Sequence, residues 1–294
     1  VSAPSAAPGA RLPTFFIIGA PKAGTTSLHA YLDQHPQIQM SAVKEPGFLA
    51  CDGPERDNRK VHRLDRYERL FDPAVAVRGE ASTSYSEYPR RRGVPERIAR
   101  LVPDARFIYC VRDPVARTVS HYHQLVATAG ESRSLEQALS DLSDPCYPCV
   151  CASRYGQQME QYLRTFPAER MLVVDQTDML NDRDSTLARI FSFLGVDSTF
   201  RSPLFGEELL KSEGRRTYPP GVSRFIAKTV RPNTRWLAPG LRRALRGSFE
   251  QRFLPTLEVT EPDEELRCRL SELFSGEAAR LRELTGEAFA SWSV

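Results

Sequence analysis

Several things are scarce in this chain of 294 residues. No apolar run approaches the roughly 18 residues that span a bilayer, and the longest, Phe15 to Ala20, has the length of a strand. Charge of one sign is not in excess. The 40 Lys and Arg face 37 Asp and Glu, and a net +3 is too small for bulk nucleic-acid binding. With 17 Gly and 22 Pro and no Gly period, the chain is neither collagen-like nor low-complexity. Six cysteines are too few for a disulfide scaffold. Three of them crowd one loop as CYPCVC, Cys146 to Cys151, but no second CxxC or HxxxH supplies the other half of a zinc site. Free thiols are the first reading there, a disulfide the second and structural zinc the third.

What is present fits an ordinary folded domain. Hydrophobic residues are 41% and charged residues 26%, and a chain this long buries roughly 75% of its extended surface without help from metal or disulfide. The first twelve residues, VSAPSAAPGARL, read as a flexible leader, leaving 13–294 as one domain. Strand-length apolar runs (Leu12–Ala20, Ile38–Ser41, Val75–Ala81, Ala105–Val111, Met171–Asp175) alternate with amphipathic stretches. The latter are Thr25–Gln34, Arg63–Phe71, Pro95–Leu101, Pro114–Ala129 and Tyr155–Phe166. Leu187–Leu194 continues a helix capped by Gly195, and Asp263 to Leu284 has helical spacing. The alternation predicts an α/β fold, a central parallel sheet with helices on both faces. One stretch is strongly basic: residues 211–252 hold eleven Lys and Arg against only Glu213 and Glu250. It is either a solvated face, a flap over a polyanionic ligand, or a weak contact with an acidic membrane surface.

The most informative residues are FIIGAPKAGTTSL, Phe16 to Leu28. An apolar strand ends at Gly19, a turn carries Lys22, Ala23 and Gly24, and a helix opens with Thr25, Thr26 and Ser27. Such a turn aims backbone N–H groups and a helix N-terminus at an anion. The glycines are spaced as in the phosphate loop GxxxxGK[ST], but Thr25 stands where the lysine belongs and Lys22 lies inside the loop. A second motif, RDPVARTVS, follows the strand Ala105–Val111. Asp113 and Pro114 suit the start of a helix, which puts Arg112 at the carboxyl end of the strand and Ser120 two turns into the helix.

Together these motifs resemble the sulfotransferases that use 3′-phosphoadenosine 5′-phosphosulfate (PAPS), in their carbohydrate or Golgi-type branch with its bacterial relatives. The resemblance implies a P-loop-like sulfotransferase fold and transfer of a sulfuryl group to a hydroxyl or amine of a carbohydrate, glycolipid or small-molecule acceptor. It implies no metal, and 3′-phosphoadenosine 5′-phosphate (PAP) as product. Lys22 would reach the leaving phosphate oxygen, and Thr25, Thr26 and Ser27 would hold the 5′-phosphate. Arg112 and Ser120 would hold the 3′-phosphate. Ser212 to Pro219 resembles the loop that closes over the cofactor in that branch, making Lys211, Gly214, Arg215 and Arg216 further candidates. It departs from the branch pattern in Glu213, where a lysine often stands, and in Thr217, an extra residue. Lys44-Glu45-Pro46 resembles the branch's lysine–glutamate–proline motif, so Lys44 and Glu45 would shape the floor near the transferred group.

For the base that takes the acceptor proton, the expectation is Glu80, in Gly79-Glu80-Ala81-Ser82 at the end of the third strand. His121 and His123 read as packed or surface helical histidines. Two other readings stay open: a P-loop kinase or NTPase, against which the displaced lysine counts, and a non-catalytic nucleotide- or polyanion-binding module. The Arg- and Ala-rich composition suggests a bacterial, cytoplasmic protein, with a Golgi-lumen catalytic domain as the alternative.

Overall fold

A computed structural model describes residues 11–50, 61–207 and 259–294. The apolar run FFIIG forms β1 (Phe15–Gly19), buried along its whole length. It is followed by α1 (Thr25–Leu32), β2 (Ile38–Met40), α2 (Leu64–Glu68), β3 (Val77–Ala81), α3 (Val94–Leu101) and β4 (Arg106–Val111). Then come α4 (Pro114–Ala129), the short α5 (Leu135–Ala138) and α6 (Pro148–Cys151), α7 (Tyr155–Leu163) and β5 (Met171–Asp175). After β5 lie α8 (Gln176–Asn181) and α9 (Arg183–Leu194), and α10 (Glu264–Thr285) closes the described chain.

The five strands form one sheet in the order β2-β3-β1-β4-β5, and every pair is parallel. Parallel neighbours need long crossovers, and the helical segments between the strands supply them. Both faces of the sheet are covered, which is why β1 and β4 are almost continuously apolar. From β1 the chain goes to β2 at one edge and returns through β3; it then passes β1 to reach β4 on the other side. The segments leaving β1 and β4 therefore diverge and open a crevice at the carboxyl ends of the strands.

Register fixes what lies on each face. Phe16 sits level with Glu80 on one side and Phe107 on the other. The Phe107 ring packs on Phe16 at 5.9 Å between centroids, on Tyr162 of α7 at 5.0 Å and on Phe166 at 4.6 Å. Burying each such ring is worth about 1.5–3 kcal/mol. Gly79 is required by this packing, because a Cβ there would stand 2.2 Å from the Phe15 ring and 2.6 Å from Met40 Sδ. A second apolar cluster joins α4, α6 and α10 through Val119, Val150, Leu270 and Phe274.

The expected elements all appear, with ends trimmed where local hydrogen bonds compete. Val75 N–H donates to Asp72 O in a turn, so β3 starts only at Val77. The helix expected over 187–194 begins at Arg183, because Asp182 caps it by accepting from Ser185 N. Asp263 Oδ1 accepts from Leu266 N at 2.8 Å and starts α10, and Gly286 at φ 72° ends it. Cys146, Cys149 and Cys151 are free thiols, the last two buried.

Candidate active site

The loop after β1 is held in shape from several sides. Gly19 ends the strand at φ 153°, and a Cβ there would fall 1.9 Å from Ser86 Oγ, so only glycine fits. Ala20 N–H donates to Cys110 O at 2.6 Å, tying the loop to β4. Lys22 has a left-handed backbone, φ 72°, rare for a residue with a side chain. Gly24, φ 85°, is the N-cap of α1 and offers no capping side chain, so a side-chain cap does not occupy the amides of the first turn. That end of α1 carries the positive pole of the helix.

Across the crevice, α4 starts where the sequence indicates. Asp113 Oδ1 accepts from Ala116 N at 2.7 Å and Pro114 occupies the first turn. Tyr155 OH donates to Arg112 O at 2.8 Å. Residues near the carboxyl end of the described chain brace both strand ends. Ser293 Oγ donates to Asp113 Oδ2 at 2.7 Å, and Trp292 Nε1 donates to Asp175 Oδ2 at 2.9 Å. Burial pushes the Asp175 carboxyl up and the Arg112 guanidinium down from their ordinary values.

These pieces enclose an open cleft of about 340 Å³. Lys22, Ala23, Gly24, Thr25, Thr26 and Ser27 line one side, and Arg112 and Ser120 line another. Of the sequence candidates, these eight meet in one place. Glu45 also lines the cleft, and among the described residues it is the only carboxylate that does so. Its backbone is left-handed, φ 57°, its N–H donates to Ala81 O at 2.9 Å, and its half-exposed side chain takes Lys44 Nζ at 2.8 Å. Lys44 is not itself a lining residue, yet its charge acts on Cys110 and His29 nearby. Lys211, Gly214, Arg215 and Arg216, with the rest of the basic stretch 211–252, lie outside the described residues.

Glu80 is a correction. It is fully buried and does not reach the cleft. The two-residue period of β3 turns its side chain onto the sheet face beside Phe16, not toward the rim. There its carboxylate accepts from Ser82 Oγ at 2.6 Å, from Tyr85 OH at 2.7 Å and from Tyr67 OH. Burial raises its pKa above the usual carboxylate range, against the pull of those hydroxyls. The same hydroxyls accept from the segment after Glu45: Gly47 N–H donates to Ser82 Oγ at 3.0 Å, and Leu49 N–H to Tyr85 OH at 3.1 Å. Glu80 thus anchors the loop that presents Glu45.

Other lining residues went unread in the sequence. Gln124 and Thr128 follow Ser120 at four-residue steps along α4, a helical stripe visible in the sequence itself. Gln176 and Arg183 enter from beyond β5, and the Arg183 guanidinium lies 5.3 Å from the centre of the Tyr31 ring. His121 and His123 are both buried in α4, as expected of packed histidines. Among the described residues, no cluster of His, Cys, Asp and Glu could hold a metal, and no helix is long and apolar enough to cross a membrane.

Comparison with known proteins agrees with the geometry. The chain is 29% identical over 191 residues to human heparan sulfate glucosamine 3-O-sulfotransferase 3B1, covering 63% of this chain and 47% of that protein. It is 29% identical over 203 residues to human bifunctional heparan sulfate N-deacetylase/N-sulfotransferase 3, covering 63% of this chain and 22% of that one. The chain thus spans about half the length, or less, of these curated relatives. Among solved structures, a sulfotransferase from Alicyclobacillus acidocaldarius superposes with a TM-score of 0.69 at 26% identity, over 96% of this chain and 99% of that one. Residues 13–200 match the sequence model of the sulfotransferase family, and the chain belongs to that family.

Proposed function

We propose that the protein transfers a sulfuryl group from PAPS to a hydroxyl or amine of a carbohydrate or small-molecule acceptor. The observation that carries this reading is one cleft in which the uncapped start of α1, Lys22, Arg112 and Ser120 converge, with Glu45 as the single carboxylate among the described residues that line it. The donor set fits the cofactor: cations, hydroxyls and helix-start amides suit its phosphates. When bound, PAPS supplies an electrophilic sulfur on a phosphate leaving group.

In this reading Thr25, Thr26 and Ser27 hold the 5′-phosphate with their amides and hydroxyls, and Arg112 and Ser120 hold the 3′-phosphate. Lys22 and the positive pole of α1 stabilise charge that grows on the leaving oxygen. Glu45 takes the acceptor proton, and Lys44, at 2.8 Å, orients its carboxylate. The relatives named for O-sulfation and for N-sulfation match at the same 29% identity, so the acceptor atom is left as oxygen or nitrogen. The likeness to the bacterial structure over 96% of this chain favours a bacterial, cytoplasmic enzyme.

The test is calorimetric titration with PAP, with ATP as control, on wild type and Lys22→Ala, followed by transfer from labelled PAPS to hydroxyl- and amine-bearing sugars. Micromolar binding that prefers the 3′-phosphate nucleotide without Mg²⁺ and weakens in the variant is expected. A preference for Mg-ATP would replace this reading with a kinase.

A further inference from the structure

Arg117, in the first turns of α4, has the greatest volume of any fully buried side chain among the described residues. A buried guanidinium is costly unless its donors and its charge are both answered. The donors are answered. Nε donates to Ser153 Oγ at 2.6 Å, Nη1 to Pro21 O at 3.2 Å, and Nη2 to Cys149 O. Nη1 also lies 3.2 Å from His121 Nδ1. Every one of these partners is uncharged, and no carboxylate among the described residues is paired with Arg117.

The charges around Arg112 are mixed, since Asp113 and Glu261 act to raise its pKa. Arg117 acts on Arg112 to lower its pKa, and burial, with Arg117 and Lys22 acting in the same direction, brings that of His121 down to about 2. His121 therefore stays a neutral acceptor toward Arg117. Pro21, whose carbonyl Arg117 holds, immediately precedes Lys22 in the loop. Lys22, Arg112 and Arg183 thus line the cleft, and Arg117 is sealed beneath it.

We infer that Arg117 is a positioning residue for anion binding: it fixes the loop through Pro21 O, and no described residue neutralises its charge, so that an anion in the cleft becomes its counter-charge. This rests on reading the cleft as the PAPS site. It accounts for a charged residue where a neutral one of similar volume would fold at lower cost.

The experiment compares wild type, Arg117→Met and Arg117→Lys by PAP calorimetry and by thermal unfolding with and without PAP. Methionine keeps the volume without the charge, and lysine keeps the charge with fewer hydrogen bonds. Arg117→Met should bind PAP about tenfold more weakly, the scale of one charge acting over roughly 10 Å at an effective dielectric near 20. Its melting point without ligand should fall by a few degrees, because the buried Pro21 and Cys149 carbonyls lose a donor, while the upward shift on adding PAP shrinks relative to wild type. Arg117→Lys should recover affinity to within about threefold of wild type, which a purely mechanical strut would not allow. The inference is overturned by a methionine variant that binds like wild type, or by a folded lysine variant that binds as weakly as methionine. Should the methionine variant not fold, the lysine variant decides alone, and a loss beyond about tenfold in PAP affinity overturns the charge argument. Wild type that fails to bind PAP would instead overturn the cofactor reading, and this inference with it.

Discussion

Glu45 and Glu80 make opposite predictions when each is changed to glutamine, because one faces the cleft and the other is sealed in the core. Glu80→Gln exchanges a carboxylate that accepts three hydroxyl hydrogen bonds for an amide with one carbonyl oxygen. Each charge-assisted bond that becomes neutral or is lost weakens the fold by about 1 kcal/mol, partly offset by relief of burying the charge. A net loss of about 2 kcal/mol follows, or a melting-point drop of about 3 °C in a chain of this size. Turnover should fall only as far as the loop carrying Glu45 loosens, by about tenfold or less, with the shape of the pH profile kept. Glu45→Gln should do the reverse. Its side chain is half-exposed, so stability should hold within about 0.5 kcal/mol, while turnover falls about a hundred- to ten-thousand-fold. The assay is sulfuryl transfer from labelled PAPS across pH, with calorimetric melting of the same preparations. A Glu80→Gln enzyme that melts like wild type and is a thousand times slower would refute the reasoning and restore Glu80 as the base.

Further outcomes follow from other positions. His121 is held neutral in the folded state, its pKa lowered from 6.5 to about 2 mainly by burial. Below pH 6.5 the unfolded chain takes up a proton that the folded one refuses, so this group costs stability as pH falls, by about 1.4 kcal/mol per unit. Denaturant titrations of His121→Gln should therefore show a flatter decline between about pH 6 and pH 4 than wild type. Gly19→Ala should lower stability by about 3 kcal/mol and abolish PAP binding, because its methyl group meets the buried Ser86 side chain; a soluble variant with unchanged melting would contradict the packing. Arg112→Ala should weaken PAP by about 10- to 150-fold and leave adenosine 5′-phosphate nearly unaffected, as competition calorimetry would read.

The parts of the site that were legible in the sequence are those built from neighbours in the chain. The β1 strand, the Lys22 to Ser27 turn and α1 form one local unit, and Arg112-Asp113-Pro114 carries its own helix start, so residue order alone located them. The burial of Glu80 away from the cleft was not legible, because the direction of a strand side chain depends on pairing register, and its pairing with Phe16 is a fact of three dimensions. Lys44-Glu45-Pro46 was visible as a motif. Its role depends on the left-handed backbone at Glu45 and on the anchoring of the loop by Ser82 and Tyr85, neither of which the motif encodes. Gln124 and Thr128 could have been found by extending the helical period from Ser120. Gln176 and Arg183 could not, since β5 had first to be placed beside β4.

The bracing of the cleft by Ser293 and Trp292 bears on when during synthesis the protein becomes able to bind. These contacts link residues 180 and 117 positions apart, to Asp113 and Asp175. A nascent chain that has released all five strands from the ribosome still lacks the two struts that fix the segments after β4 and β5. The sheet can condense early, but nucleotide affinity should arrive only once residues 291–293 have emerged and docked. A ligand that stabilises the finished protein would then do little for the half-made one, and the interval between the two is the time in which chaperones or proteases find the cleft ajar.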